Sequence, residues 1–188
     1  MCIDTPQFAT LRDSRKDAPM AVSLSRAIAQ AGRRLTRVLQ AAGPHAIGLY
    51  MPPTVAPETL YVATKFAQGT LRGARLFQDF SKTISALDCS DVRALWMIHP
   101  SAADDCLQAR RSLATTDLII VQDDASPDSM PADLFFPSSR APSTASEAKP
   151  DWWWIQQVAL AMGFRAGLQF SSTQEIRDEM ALVNWQSS

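Results

Sequence analysis

Cysteine, histidine and glycine are scarce in this chain: of 188 residues, 3 are cysteine, 2 histidine and 7 glycine. Cys2, Cys89 and Cys106 lie far apart and form no C-x-x-C pair. A structural zinc site needs four converging ligands, usually in close pairs, and an iron–sulfur cluster needs a similar convergence of thiolates. With only His45 and His99 to add, neither centre is expected. G-x-G-x-x-G, G-x-x-x-x-G-K-[ST] and G-x-S-x-G are all absent, so the usual marks of a dinucleotide cradle, a P-loop and a hydrolase elbow are missing. No apolar run approaches the roughly 18 residues of a membrane span, so no membrane association is expected. Neither sign of charge is in excess, with Lys+Arg 18 against Asp+Glu 19, which argues against nucleic acid as a partner. The beginning of the chain carries Asp4, Arg12, Asp13, Arg15, Lys16 and Asp17 where a secretory signal would be apolar, and a cytoplasmic location is expected.

What is present is a globular pattern, 46% hydrophobic, long enough for one domain with a real core. The expected organisation is a flexible arm over 1–20, a single α/β domain over 21–183 and a short tail over 184–188. Leu24, Ile28, Ala31, Leu35, Val38 and Leu39 recur at helical spacing, with Ser23 as N-cap and Gly43-Pro44 as stop. Residues 46–51 form a short apolar run bounded by prolines, which reads as a buried strand. Pro57 opens a second helix toward Gly69, and a third helical stretch is read from Ala74 through Leu76, Phe77, Phe80, Ile84 and Leu87. Residues 93–98 and 117–121 are apolar runs flanking a helical pattern over 104–114, a βαβ unit with parallel pairing. Leu134-Phe135-Phe136 adds a last strand, and the Pro/Ser-rich stretch 137–150 is a loop. Asp151 can cap a helix carrying Trp152, Ile155, Val158 and Met162, and Ser172-x-x-Glu175 is a capping box for a final helix. The fold class is α/β: three layers, an open, mostly parallel sheet with covering helices.

In such a sheet, ligands bind beyond the carboxyl ends of the strands. Those ends offer His99-Pro100-Ser101 and Gln122-Asp123-Asp124. On adjacent parallel strands, His99 and Asp123 would be neighbours, and a helix starting after Ser101 would present free backbone N–H groups to an anion. The plainer reading leaves Asp123 and Asp124 in solvent at a strand end, with His99 before a turn. Trp152-Trp153-Trp154 suggests a stacking platform, but three consecutive positions of a helix cannot share one face, so core plus interface is the better reading.

Residues 92–98, 117–123 and 132–137 stand in a fixed order, followed by Lys149-Pro150-Asp151-Trp152-Trp153, the run 159–164 and the run 171–179. In that order they resemble the molybdopterin oxidoreductase family, in particular the catalytic subunits of assimilatory nitrate reductases and related formate dehydrogenases. Weaker similarity covers residues 22–70. The resemblance implies the family's α/β core, in which the strand ends matching His99, Ser101, Gln122 and Asp123 line the pterin cofactor.

The chain also departs from that pattern. No cysteine cluster for an iron–sulfur centre is present, and Gly69-Thr70-Leu71-Arg72-Gly73 runs almost directly into Leu76-Phe77, skipping the segment that carries the family's molybdenum ligand. His99-Pro100-Ser101 stands where the family has a glycine, and the Pro/Ser stretch replaces a loop that serves cofactor contacts. The expectation is a shortened, degenerate relative, not an enzyme on its own, with no metal and no resident cofactor. Its expected partner is a molybdoenzyme, an electron-transfer subunit or a second copy of itself. The alternative is a residual binder of one molybdopterin guanine dinucleotide with a weak or partner-dependent oxidoreductase role; a decayed product with no selected role reads the same.

Overall fold

The computed structural model describes residues 9–12, 18–80, 82, 83, 85, 92–100, 116–123, 132–137 and 149–185. The three cysteines, Ser101, the helical pattern over 104–114 and most of the Pro/Ser stretch lie outside the described residues.

The architecture is three-layer α/β. Its described strands are β1 (Ala9–Leu11), β2 (Met20–Val22), β3 (Ile47–Tyr50), β4 (Arg75–Phe77), β5 (Ala94–Ile98), β6 (Leu118–Asp123) and β7 (Leu134–Pro137), in the spatial order β2-β1-β7-β6-β5-β3-β4. From β7 to β4 every pairing is parallel; β1 runs antiparallel to both β7 and β2. Strands β3, β5 and β6 are buried along their whole length, as parallel strands covered on both faces must be.

Two segments differ from the sequence reading. Ala9–Leu11, within the stretch read as a flexible arm, and Met20–Val22, which begins at its last residue, extend the sheet, and Ala9 and Leu11 are buried. Arg75–Phe77, read as the start of a helix, is instead an edge strand beside β3. Three residues are too few for a period of 2 to be told from one of 3.6.

The first face of the sheet carries α1 (Leu24–Ala42), α2 (Pro57–Thr64), α3 (Asp151–Ala161) and α4 (Thr173–Leu182), packed on Leu49, Trp96, Ile98, Ile120 and Phe136. Ser23 caps α1 through its hydroxyl, which accepts from the Arg26 N–H, and Gly43 ends the helix at φ 81°. Helices α1 and α3 approach so closely that a Cβ added at Gly32 would stand 2.8 Å from the Ala161 Cβ, so glycine is required there. The other face is a smaller cluster of Tyr50, Leu95, Met97, Ile119, Val121 and Phe135, with Phe80 edge-on to Tyr50 at 5.3 Å.

An aromatic column fixes α3 on the sheet. Phe136 of β7 tilts against Trp96 of β5 at 5.9 Å and stacks on Trp154 at 4.9 Å. Trp152 and Trp154 are buried, while Trp153 is half-buried, edge-on to Trp154 and under the Lys149 ammonium. The three tryptophans are thus absorbed within the chain itself. Between α2 and β4 the helix widens into a π-turn over Lys65–Thr70, closed by the Leu71 N–H to the Phe66 carbonyl at 2.8 Å. No described helix is long and apolar enough to cross a membrane.

Candidate functional site

The chain leaves β3 for β4 on one side of it and then crosses to β5 on the other. Such a reversal of strand order opens a crevice at the carboxyl ends of the two strands, where α/β proteins bind ligands. A cavity of about 610 Å³ lies there, lined among others by Val55 after β3, Glu58 at the start of α2, His99 after β5, Asp151 at the start of α3, and Arg177 of α4.

His99 ends β5 in the left-handed region, at φ 46°, with its N–H donating to the Gln122 carbonyl at 2.8 Å. A non-glycine residue in that region is uncommon and costs of order 1 kcal/mol or more. Its ring lies between two carboxylates, with Nδ1 3.3 Å from Asp123 Oδ1 and Nε2 2.9 Å from Asp151 Oδ2. Gln122 Nε2 donates to the other Asp151 oxygen at 2.8 Å. His99, Gln122 and Asp123 are all buried. Each ring nitrogen of His99 thus faces a carboxylate oxygen. The two ring nitrogens face opposite ways, and their carboxylates do not converge on one point. Among the described residues no group of three or more His, Cys, Asp or Glu side chains is placed to hold a metal ion.

The sequence brings His99 and Asp123 to adjacent strand ends, and they are adjacent in the structure. The plainer reading of Asp123 is corrected: the residue is 4% exposed and faces His99, not solvent. Ser101 lies outside the described residues. Asp151 was missed as a site residue. It is the first residue of α3, not its cap; Pro150 holds the cap position without a side-chain bond, and the Asp151 carboxylate reaches back across the strand ends. Its only sequence signal is an acidic residue opening an apolar helix. The capping box also differs in detail. Ser172 accepts from the Glu175 N–H as expected, but the Glu175 carboxylate accepts from the N–H and hydroxyl of Ser171, whose hydrogen bonds hold that carboxyl below its usual range.

A second polar cluster joins α2 to α4. Glu58, nearly buried, pairs with Arg177, and Glu179 accepts from the Tyr61 hydroxyl and the Lys65 ammonium. Burial raises the Glu179 carboxyl, but those two donors outweigh it and hold the group below its usual range. Burial, with Glu179 beside it, raises the Tyr61 hydroxyl, which stays neutral.

A paired pterin dinucleotide is bulky and carries several negative charges, and these residues do not fit it. Asp151 and Glu58 line the cavity as carboxylates, and Arg177, which lines it too, is already paired with Glu58. The cavity falls within the ordinary size of a single small-molecule site, about 300–1,000 Å³. Neither a family model nor a curated protein matches the chain.

Proposed function

We propose that the chain is a non-catalytic, shortened relative of the molybdopterin oxidoreductases, acting as an accessory or assembly subunit on a molybdoenzyme such as a nitrate reductase or formate dehydrogenase. The observation that carries the non-catalytic reading is the position of Asp151. Its carboxylate bonds to both His99 and Gln122, so the strand-end groups that would meet a cofactor are bonded within the chain. Both ring nitrogens of His99 face carboxylates, which leaves neither poised to take a proton from a substrate. Leu182 and Val183, 83% and 57% exposed at the end of α4, offer an apolar contact for docking.

One observation favours a second reading, a residual binder of one molybdopterin guanine dinucleotide at His99, Ser101, Gln122 and Asp123. Gln122 Oε1 is buried without a hydrogen-bond partner, and the adjoining cavity presents carboxylates that suit the N–H-rich edge of a guanine or pterin ring.

One purification tests both. Tagged protein is isolated natively from a host making nitrate reductase and formate dehydrogenase, and the eluate is divided between mass spectrometry of proteins and fluorescence of an acid extract. Docking predicts stoichiometric recovery of a molybdoenzyme subunit with wild type and its loss with Leu182→Asp. A monomer without such a subunit overturns it. The second reading predicts about one pterin per chain, and an extract without pterin fluorescence overturns that.

A further inference from the structure

We propose that a cationic cavity at the end of α2, separate from the strand-end site, binds the phosphate group of a small organic phosphate. This cavity, of about 670 Å³, is lined among others by Lys65, Thr70 and Arg72 on one side and Phe164 and Arg165 on the other. Among the described residues three cations line it and no carboxylate does, in a chain whose net charge is −1. Glu179 answers the charge of Lys65 alone, so Arg72 and Arg165 stand without a counter-charge among the described residues, and a bound anion relieves their repulsion.

The three cations are set differently. Lys65 is fixed: its ammonium bonds to Glu179 and lies over the rings of Phe170 and Tyr61, at 5.1 and 5.6 Å from their centroids. Arg72 and Arg165 are exposed and have no ion-pair partner among the described residues. A guanidinium presents planar paired donors that match phosphate oxygens bidentately.

The backbone shape of the cavity points the same way. Lys65 and Thr70 belong to the π-turn, a rare irregularity that recurs at functional sites. Arg72 sits at φ 56°, a left-handed conformation that a non-glycine residue holds at a cost, and such residues cluster at ligand clamps. The opposite wall is the short loop from Gly163 to Gly167, whose end glycines are at φ 92° and 78°. Phe164 in that loop gives an apolar surface for the organic part of the ligand. These features stand whichever reading of the strand-end site is correct.

Calorimetric titration at low salt, with inorganic phosphate and phenyl phosphate as probes, tests the proposal. The expected result is one saturable site, with phenyl phosphate bound about tenfold more tightly than inorganic phosphate. Arg72→Ala and Arg165→Ala should each weaken binding about tenfold by removing a charge-assisted pair of hydrogen bonds. Both residues are exposed, so their melting temperatures without probe should match wild type. Arg37→Ala, whose residue lines a different cavity beside Asp117 and Asp133, should bind as wild type does. No saturable heat up to about 10 mM of either probe, a site tighter than only about −3 kcal/mol being visible there, overturns the proposal. So does unchanged binding by both arginine variants, or an equal loss in Arg37→Ala. Equal affinity for the two probes overturns the organic part and leaves a site for free phosphate.

Discussion

The two ends of the parallel strands use the same residue types in opposite ways. At the amino ends, charged groups serve the backbone or pair at the surface. The Asp133 carboxylate accepts from the Ile119 N–H at 2.7 Å, with the Arg34 guanidinium 3.9 Å away, and Arg93 pairs with Asp117 at 2.6 Å with both side chains nearly half exposed. At the carboxyl ends, His99, Gln122, Asp123 and Asp151 bond side chain to side chain with little water around them. Exposed pairs contribute little because water replaces either partner, whereas a buried pair that loses one member leaves a charge without solvent. The carboxyl ends therefore hold the fold's more consequential polar contacts, as well as its ligand crevice.

Removing one member from each end breaks or sharpens that contrast. Asp151→Ala should have the largest effect, about 3 kcal/mol of lost stability in urea unfolding, since it takes the carboxylate away from both the His99 Nε2 and the Gln122 amide in a buried setting. Asp151→Asn, which keeps one acceptor oxygen and puts an amide donor in place of the other, should recover only part of the loss. Asp133→Ala comes next, at about 2 kcal/mol, because the Ile119 N–H is then buried without an acceptor. Arg93→Ala should be smallest, within about 0.5 kcal/mol by the same measurement, because the pair is exposed and the backbone bonds of Arg93 to Ala46 and Asp117 remain. An Arg93→Ala loss as large as that of Asp151→Ala would remove the distinction between the two ends.

How much of this was legible in the chain follows from how local each signal is. Strands β3, β5, β6 and β7 announce themselves as apolar runs stopped by proline or by polar pairs. Strands β1 and β2 do not: each has three residues in charged surroundings, and β1 is buried by pairing with β7, more than 100 positions away, while β2 is mostly exposed. The neighbourhood of His99 and Asp123 could be read because parallel strands joined by a crossover must end side by side. Asp151 could not, because it lies 52 residues beyond His99 and reaches the strand ends only once the Phe136–Trp154 stack has seated α3. Lys65, Arg72 and Arg165 look like solvated charges in one dimension, and only the packed helices bring them to one cavity. The molybdopterin oxidoreductase resemblance rested on the same strand runs and on residues 149–179, where α3 and α4 now lie.

The widened turn at Lys65–Thr70 has a consequence for how this protein can drift. A π-turn holds one residue more than the α-helical turn it replaces, in effect an insertion accommodated without a loop. Deleting any one of those six positions should let the helix wind on regularly, closing the widened turn that carries Lys65 and Thr70 while later residues keep their places. The part of the cavity wall that Lys65 and Thr70 form would then be lost while the chain stayed folded. A single lost codon could thus silence that pocket, and alignments that pass through this stretch without a gap will pair the wrong residues beyond it.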